Sequence, residues 1–359
     1  MTPNIKIISP KNSDSTFLLS LFFEYSQNSH FYAHLYDHLF LRFLEDKYRV
    51  KGEVGSGILK IVIEGKLQSK FPPPEFFFLE NFSFKDIEAE KNRIFLEALS
   101  SISGHRWLVH NLIQYQQKNK NILLEYLKFL KNDFIFEKEE IFKNLKLTHA
   151  IIYAPFSIGK NFKKEIYEIA TSFSLKKDKK KNTLLEREKA PPEKDFVFPA
   201  YSIVVPIPSV IEAYKLVLIA KIFREEVEKK LIQAGIAYSC QLEMNKDFTG
   251  RIFSTLVSLV DLENYEKFLN IAEKLVKNPP VNKKVLEETK KKLIEKLNEK
   301  NKHSFLKLED EIMQELEWKA TKPLSVSRKI ELVKKINLEN LYNWWRNKVS
   351  EGLEFTLFY

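Results

Sequence analysis

Cysteine is all but missing from this chain: Cys240 is the single example in 359 residues. That excludes a disulfide framework and any cysteine-built zinc knuckle. Cys240 also lies in a strand-like run with no histidine nearby, which argues against a thiol nucleophile. Glycine is scarce, with 9 in all. Gly55-Ser56-Gly57 lacks the Lys-Ser/Thr of a phosphate-cradling loop, and no dinucleotide-binding fingerprint occurs. Long apolar runs are absent, and the best early one, Phe17 to Phe23, is too short to span a bilayer. Met1-Thr2-Pro3-Asn4-Ile5-Lys6 shows no basic stretch followed by an apolar one, so no signal peptide is expected. These absences lead to the expectation of a soluble, cytoplasmic protein with no membrane partner.

What is present is ample apolar and aromatic material, 44% hydrophobic residues with 29 Phe, enough for two domains with their own cores. The net charge of +10 comes from lysines interleaved with glutamates, as in Glu287-Glu288-Thr289-Lys290-Lys291-Lys292. Such interleaving describes a solvated helical face, and nucleic acid is not an expected partner. Residues 173–195 hold the like-charge block Lys176-Lys177-Asp178-Lys179-Lys180-Lys181 and then Pro191-Pro192, the composition of a linker. The expected division is a domain over 1–172, a charged linker over 173–195 and a second domain over 196–359. Each half opens with strands (5–9, 16–25 and 58–63; 201–205, 236–243 and 251–260). Each continues with helices, over roughly 85–145 and over most of 262–350, and closes on a strand. Strands first and helices second predict an α+β fold, two similar domains each with a mostly antiparallel sheet covered by helices on one face.

The chemistry concentrates in His34-Leu35-Tyr36-Asp37-His38. Residues four apart stand about 40° apart around a helix, so both imidazoles share one face. Asp37 lies on the same side. This is a two-histidine metal clamp with a carboxylate beside the open position, in the order His-x-x-Glu-His of inverted zincins, with Asp for Glu. A zinc site needs a third protein ligand. Candidates lie in the run 85–99, where Glu90 and Glu97 are two helical turns apart and point the same way. Plainer readings stand beside these. The histidines can be polar helix residues, and Glu90 a solvated ion-pair partner. His30 reads as a neighbour of the pair, while His105, His110, His149 and His303 have no carboxylate pattern around them.

With these residues in place, the chain resembles the M16 metallopeptidases, the pitrilysin and mitochondrial-processing-peptidase type. The two strand-like runs before the metal helix match that family's order. Gly235-Ile236-Ala237-Tyr238-Ser239 is similar to its Gly-Leu-Ala-Tyr-Ser, and Phe253 to Ser258 to the strand after it. The resemblance implies that His34, His38 and Glu97 bind zinc, that Asp37 is the general base, that Glu90 supports the site from behind, and that Tyr238 contacts substrate. It implies a peptide substrate and a chamber of two halves, so a homodimer or a heterodimer with a related subunit. The sequence departs from the pattern at several points. Asp37 is one methylene shorter than Glu, Leu231 stands where the family has a substrate-holding Arg, and Gly52-Glu53 replaces Asn-Ala on the peptide-receiving edge. These departures support the rival expectation of a non-catalytic M16-like partner or scaffold subunit.

Overall fold

The structure is a computed structural model. It describes residues 2–10, 16–26, 29–44, 47–55, 57–67, 72, 77–80, 82–102, 138–173, 196–197, 200–206, 209–236, 239–246, 251–278, 282–320, 322–351 and 353–357. These fall into two compact units. One takes in residues within Met1–Glu97, Glu125–Lys181 and His303–Pro323, and the other those within Ala98–Leu124, Asn182–Lys302 and Leu324–Tyr359. The expected linker, from residue 174 to 195, lies outside the described residues.

The first unit holds strands β1 (Asn4–Ile8), β2 (Thr16–Tyr25), β3 (Arg49–Gly55), β4 (Ile58–Lys66) and β5 (Leu145–Tyr153), with buried side chains concentrated on β2, β4 and β5. They form one sheet in the order β1-β5-β2-β4-β3. Only β1 and β5 run parallel, and β2 pairs antiparallel with both β4 and β5. The central strand β2 shows why the sheet has two dry faces. Phe17, Leu19, Leu21 and Phe23 alternate with Ser20 and Phe22, and all six are at most 1% exposed. Burying each large side chain contributes roughly 1.5–3 kcal/mol.

The odd-numbered face of β2 meets helices α1 (His30–Leu44) and, beyond α2 (Phe84–Ile102) and α3 (Lys138–Phe142), α4 (Phe156–Ala170). Phe17 lies edge-on to Phe162 with centroids 5.0 Å apart, and Phe23 to Tyr36 at 5.6 Å. The other face is covered as well. Phe22, Ile58 and Ile151 cluster with Phe305, Ile312 and Leu316. Those three lie on a helix, Ser304–Trp318, from the second half of the chain that belongs to the first unit. The first sheet thus carries a helix on the face left open by the single-layer expectation.

The second unit holds β6 (Phe196–Val197), β7 (Ala200–Pro206), α5 (Val210–Gln233), β8 (Ser239–Lys246), β9 (Arg251–Asp261), α6 (Tyr265–Lys277), α7 (Lys283–Lys302), α9 (Val326–Lys335), α10 (Leu338–Glu351) and β10 (Leu353–Leu357). The helix Ser304–Trp318 is α8 in this order. All described pairs in the second sheet are antiparallel. Phe196 stands opposite Asp261 and Ala200 opposite Val257, one continuous register, so β6 and β7 follow each other along the same side of β9. Leu297, Val326, Ile330 and Val333 form a helical core there, with Tyr214 packed against it. The architecture is α+β throughout. Among the described residues no helix is long and apolar enough to cross a membrane.

Candidate functional site

Helix α1 follows directly from β2, and its position comes from burial. Phe31, Ala33, Leu35, Tyr36, Leu39, Phe40 and Leu44 are all at most 6% exposed. With so much of its surface apolar, the helix has one orientation in which every one of these side chains is dry. That orientation leaves His34 and His38 together on the remaining stripe. Their Nε2 atoms are 3.1 Å apart and their rings meet edge to face at 4.7 Å. His34 is held neutral. Burial pushes its pKa down to about 3, and the neighbouring His38 and His30 add to the effect. A neutral imidazole is the form that ligates a metal.

Helix α2 begins with a capping box. Ser83 Oγ accepts from the Asp86 amide at 3.3 Å, and Asp86 Oδ2 accepts from the Ser83 amide at 3.0 Å. The Ser83 hydroxyl also donates to Asp86 Oδ2 at 2.6 Å, and this bond, followed by that from the Ser83 amide, pulls the exposed Asp86 carboxyl below its ordinary value. Ile87 and Ile94, both at most 1% exposed, turn one stripe of α2 inward. Glu90 is carried in with them and is 1% exposed. Its Oε1 accepts from Arg42 at 2.8 Å and lies 3.2 Å from Arg93, while Oε2 is 3.6 Å from His38 Nδ1. At 3.6 Å the last contact is electrostatic rather than a hydrogen bond. The carboxylate therefore stands behind His38, on the ring edge away from His34.

Two nitrogens bound to one tetrahedral zinc at 2.0–2.1 Å each stand about 3.3 Å from one another. The His34–His38 separation of 3.1 Å fits that spacing, and a carboxylate behind one ligand's second nitrogen is the usual supporting arrangement at metal sites. The donor chemistry fits zinc at two positions. Glu97 is on α2, but its side chain is outside the described residues. Among the described residues, no three His, Cys, Asp or Glu side chains form a metal-holding group. Tyr238 also lies outside the described residues, as do His105 and His110.

Asp37 lies beside the edge strand. It is 7% exposed, and its carboxylate lies against Gly52 of β3, so closely that a Cβ on Gly52 would overlap Asp37 Oδ1. Strand β3 pairs with β4 on one side and forms an edge of the sheet. Among the described residues, the histidine pair has Glu90 and its arginines behind it, and Asp37 rests on the edge strand β3. Sequence reasoning missed Arg42 and Arg93, and placed Gly52 on the edge without its contact to Asp37. Arg42 sits one turn beyond His38 and was findable on that spacing, whereas nothing in the sequence tied Gly52 to Asp37. His149, expected to play no part in the site, has its Nε2 3.4 Å from the Glu315 carboxylate of α8, and burial lowers its pKa.

No family model matches the sequence, and no curated protein matches it. Solved structures do. A conserved protein from Enterococcus faecalis superposes with a TM-score of 0.68 at 11% identity, covering 99% of this chain and 96% of that one. A peptidase M16 inactive domain from Pseudomonas fluorescens gives 0.66 at 10%, covering 99% and 95%. The periplasmic protease PqqL from Escherichia coli gives 0.63 at 11%, covering 98% of this chain but 43% of that one. The fold is that of M16 peptidase domains. This chain spans less than half the length of the whole protease among these three, and nearly all of the two shorter ones.

Proposed function

We propose that the chain is a zinc-dependent endopeptidase subunit of M16 type, acting on peptides or unfolded proteins as one half of a dimeric chamber. The observation that carries this reading is the pair of imidazole nitrogens at 3.1 Å on a helix flanked by a buried carboxylate and an open strand edge. His34, His38 and Glu97 would hold the zinc, which supplies a polarised carbonyl and an acidified water when bound. Glu90, fixed by Arg42 and Arg93, keeps the His38 ring turned with Nδ1 toward it, leaving Nε2 for the metal side. An extended peptide would add to the outer edge of β3 through backbone hydrogen bonds, giving affinity with little sequence selectivity. Asp37, beside that edge, would take a proton at its carboxylate and release it to the leaving amine. Tyr238 would contact the substrate. The chain's likeness to halves of larger proteases supports a partner, either a second copy or a related subunit. The proposal keeps the expected cytoplasmic setting.

A second reading is favoured by one contact. Asp37 is engaged with Gly52 and is shorter than the Glu of the motif, and a 1 Å misplacement can cost on the order of 100-fold in rate. On this reading the chain is a non-catalytic M16-like subunit. Hydrolysis of fluorescein-labelled casein separates the two. The peptidase reading predicts activity that a chelator abolishes, zinc restores, and both His38→Ala and Asp37→Ala remove. A zinc-loaded chain that leaves casein intact, alone and with its co-purifying partner, establishes the second reading.

A further inference from the structure

Tyr25 ends β2 and is 4% exposed. Its amide donates to Gly57 O at 2.9 Å. Its hydroxyl is 3.0 Å from Gly55 O and 3.0 Å from His30 Nδ1. Gly55 is the last residue of the edge strand β3, and Gly57, at φ +86°, lies in the hairpin that follows. His30 is the first residue of α1, one turn before His34. One tyrosine thus joins the hairpin tip of the open edge to the start of the histidine-bearing helix.

Where both bonds are made at once, proton counting gives their direction. A carbonyl oxygen only accepts, so the single phenolic proton goes to Gly55 O. Toward His30 the phenol oxygen is then the acceptor, and His30 Nδ1 must carry the hydrogen. Burial drives the Tyr25 pKa upward, so the phenol keeps its proton. The His30 ring, packed against the tyrosine at 5.7 Å, is held in the Nδ1–H form.

An edge strand has a ladder on one side only, and its distance from the helix beneath it is set by twist unless something else holds it. Contacts between α1 and β3 run along the strand, with Asp37 against Gly52 near its middle; at its end Tyr25 of β2 bridges Gly55 and His30. We infer that Tyr25 and His30 are positioning residues, a strut that fixes the open edge of β3 relative to His34 and His38 and so sets where an added peptide strand lies. The inference deepens the peptide-binding reading of this site and rests on it for its functional part.

The test uses the full chain. In wild type, nitrogen-15 NMR of labelled histidines should give His30 as the Nδ1–H tautomer, and the Nε2–H tautomer overturns the inference. Tyr25→Phe keeps the ring and removes both bonds. Hydrogen exchange over Arg49–Gly55 should then accelerate relative to β4, while zinc affinity, measured by chelator competition, is unchanged. Unchanged exchange overturns the strut. In excess EDTA, binding of fluorescein-casein followed by anisotropy should weaken about fivefold, the worth of one hydrogen bond. Casein binding as tight as wild type overturns the positioning role. A wild-type chain that binds no casein removes the peptide-binding reading and with it that role, and the exchange data then decide the strut alone. Should Tyr25→Phe fail to fold, His30→Ala, which also bears on His34, is read by exchange and casein binding alone and must give the same two results.

Discussion

One face of the first sheet is closed by aromatic rings, the other by a seam where charges run beside apolar groups. Against α1 and α4 the sheet contacts are Phe17–Phe162 and Phe23–Tyr36, and the ring chain continues through Tyr36–Phe40 and Phe40–Phe77, with centroids between 5.0 and 5.6 Å. Against α8 the apolar cluster around Phe22 is bordered by polar contacts. Ser20 Oγ donates to Glu309 at 3.2 Å, Lys60 lies 3.7 Å from the same carboxylate, and Lys319 reaches Glu24 at 3.6 Å. The difference follows from what each helix carries. A helix proposed to present a metal pair must sit within a fraction of an ångström of one position, and interlocking rings, with Tyr36 also donating to Phe77 O at 3.2 Å, hold it there. A covering helix with no chemistry of its own can be held by partly exposed ion pairs, each of which contributes little.

Truncation breaks the comparison most sharply. Phe23→Ala on the α1 face should destabilise the chain by about 3–5 kcal/mol and lower zinc affinity, because α1 settles into the space left behind. Phe22→Ala on the α8 face should cost a similar amount in a denaturant titration yet leave zinc affinity intact in the fraction that is folded. Equal loss of zinc from both would show that the two faces do not differ in role.

Acid comes next. In the zinc-free chain, folded His34 stays neutral down to about 3, whereas in the unfolded chain it protonates near 6.5. Between those values the unfolded state binds more protons, so stability rises with pH across the window and falls on acidification. The slope from this one group is about 1.4 kcal/mol per pH unit. His34→Gln should remove that share of the slope in urea midpoints measured from pH 6.5 downward.

Gly52→Ala places a methyl on Asp37 and should cost about 1–3 kcal/mol through overpacking. Most of that loss should vanish in an Asp37→Ala background, read from a double-mutant cycle. Strict additivity would mean that the carboxylate does not rest on β3 in solution. The smallest effect belongs to the α8 seam. Glu309→Gln should cost no more than about 1 kcal/mol, shrinking further in high salt.

Much of this was legible in the sequence. The run Ile58 to Ile63 marked β4, Ser209 to Ala234 marked α5, and the 34/38 spacing marked the shared helix face, because alternation and three-to-four spacing report directly which side of an element is apolar. Strand β3 was harder to see. Arg49-Val50-Lys51-Gly52-Glu53-Val54-Gly55 is charged and broken by glycine because it lies at an edge with few buried residues. Which sheet α8 covers was not readable at all. Phe305, Ile312 and Leu316 announce an apolar stripe, but periodicity names the stripe and not its partner. For the same reason Tyr25 carried no signal, and Gly52, though placed on the peptide-receiving edge, carried none of its contact with Asp37, since both roles arise from contacts with α1. The arginines around Glu90 looked like ordinary surface charge, and only burial of the carboxylate distinguishes them.

The account turns on α1 and α2 bringing two imidazoles and a carboxylate to one zinc ion. Zinc content after equilibrium dialysis of the chelator-stripped chain tests this most directly, with wild type beside His38→Ala and Glu97→Gln. The account predicts one tightly held zinc per wild-type chain, none in His38→Ala and weakened binding in Glu97→Gln. A wild-type chain that retains no zinc, or a His38→Ala chain that retains as much as wild type, would contradict it.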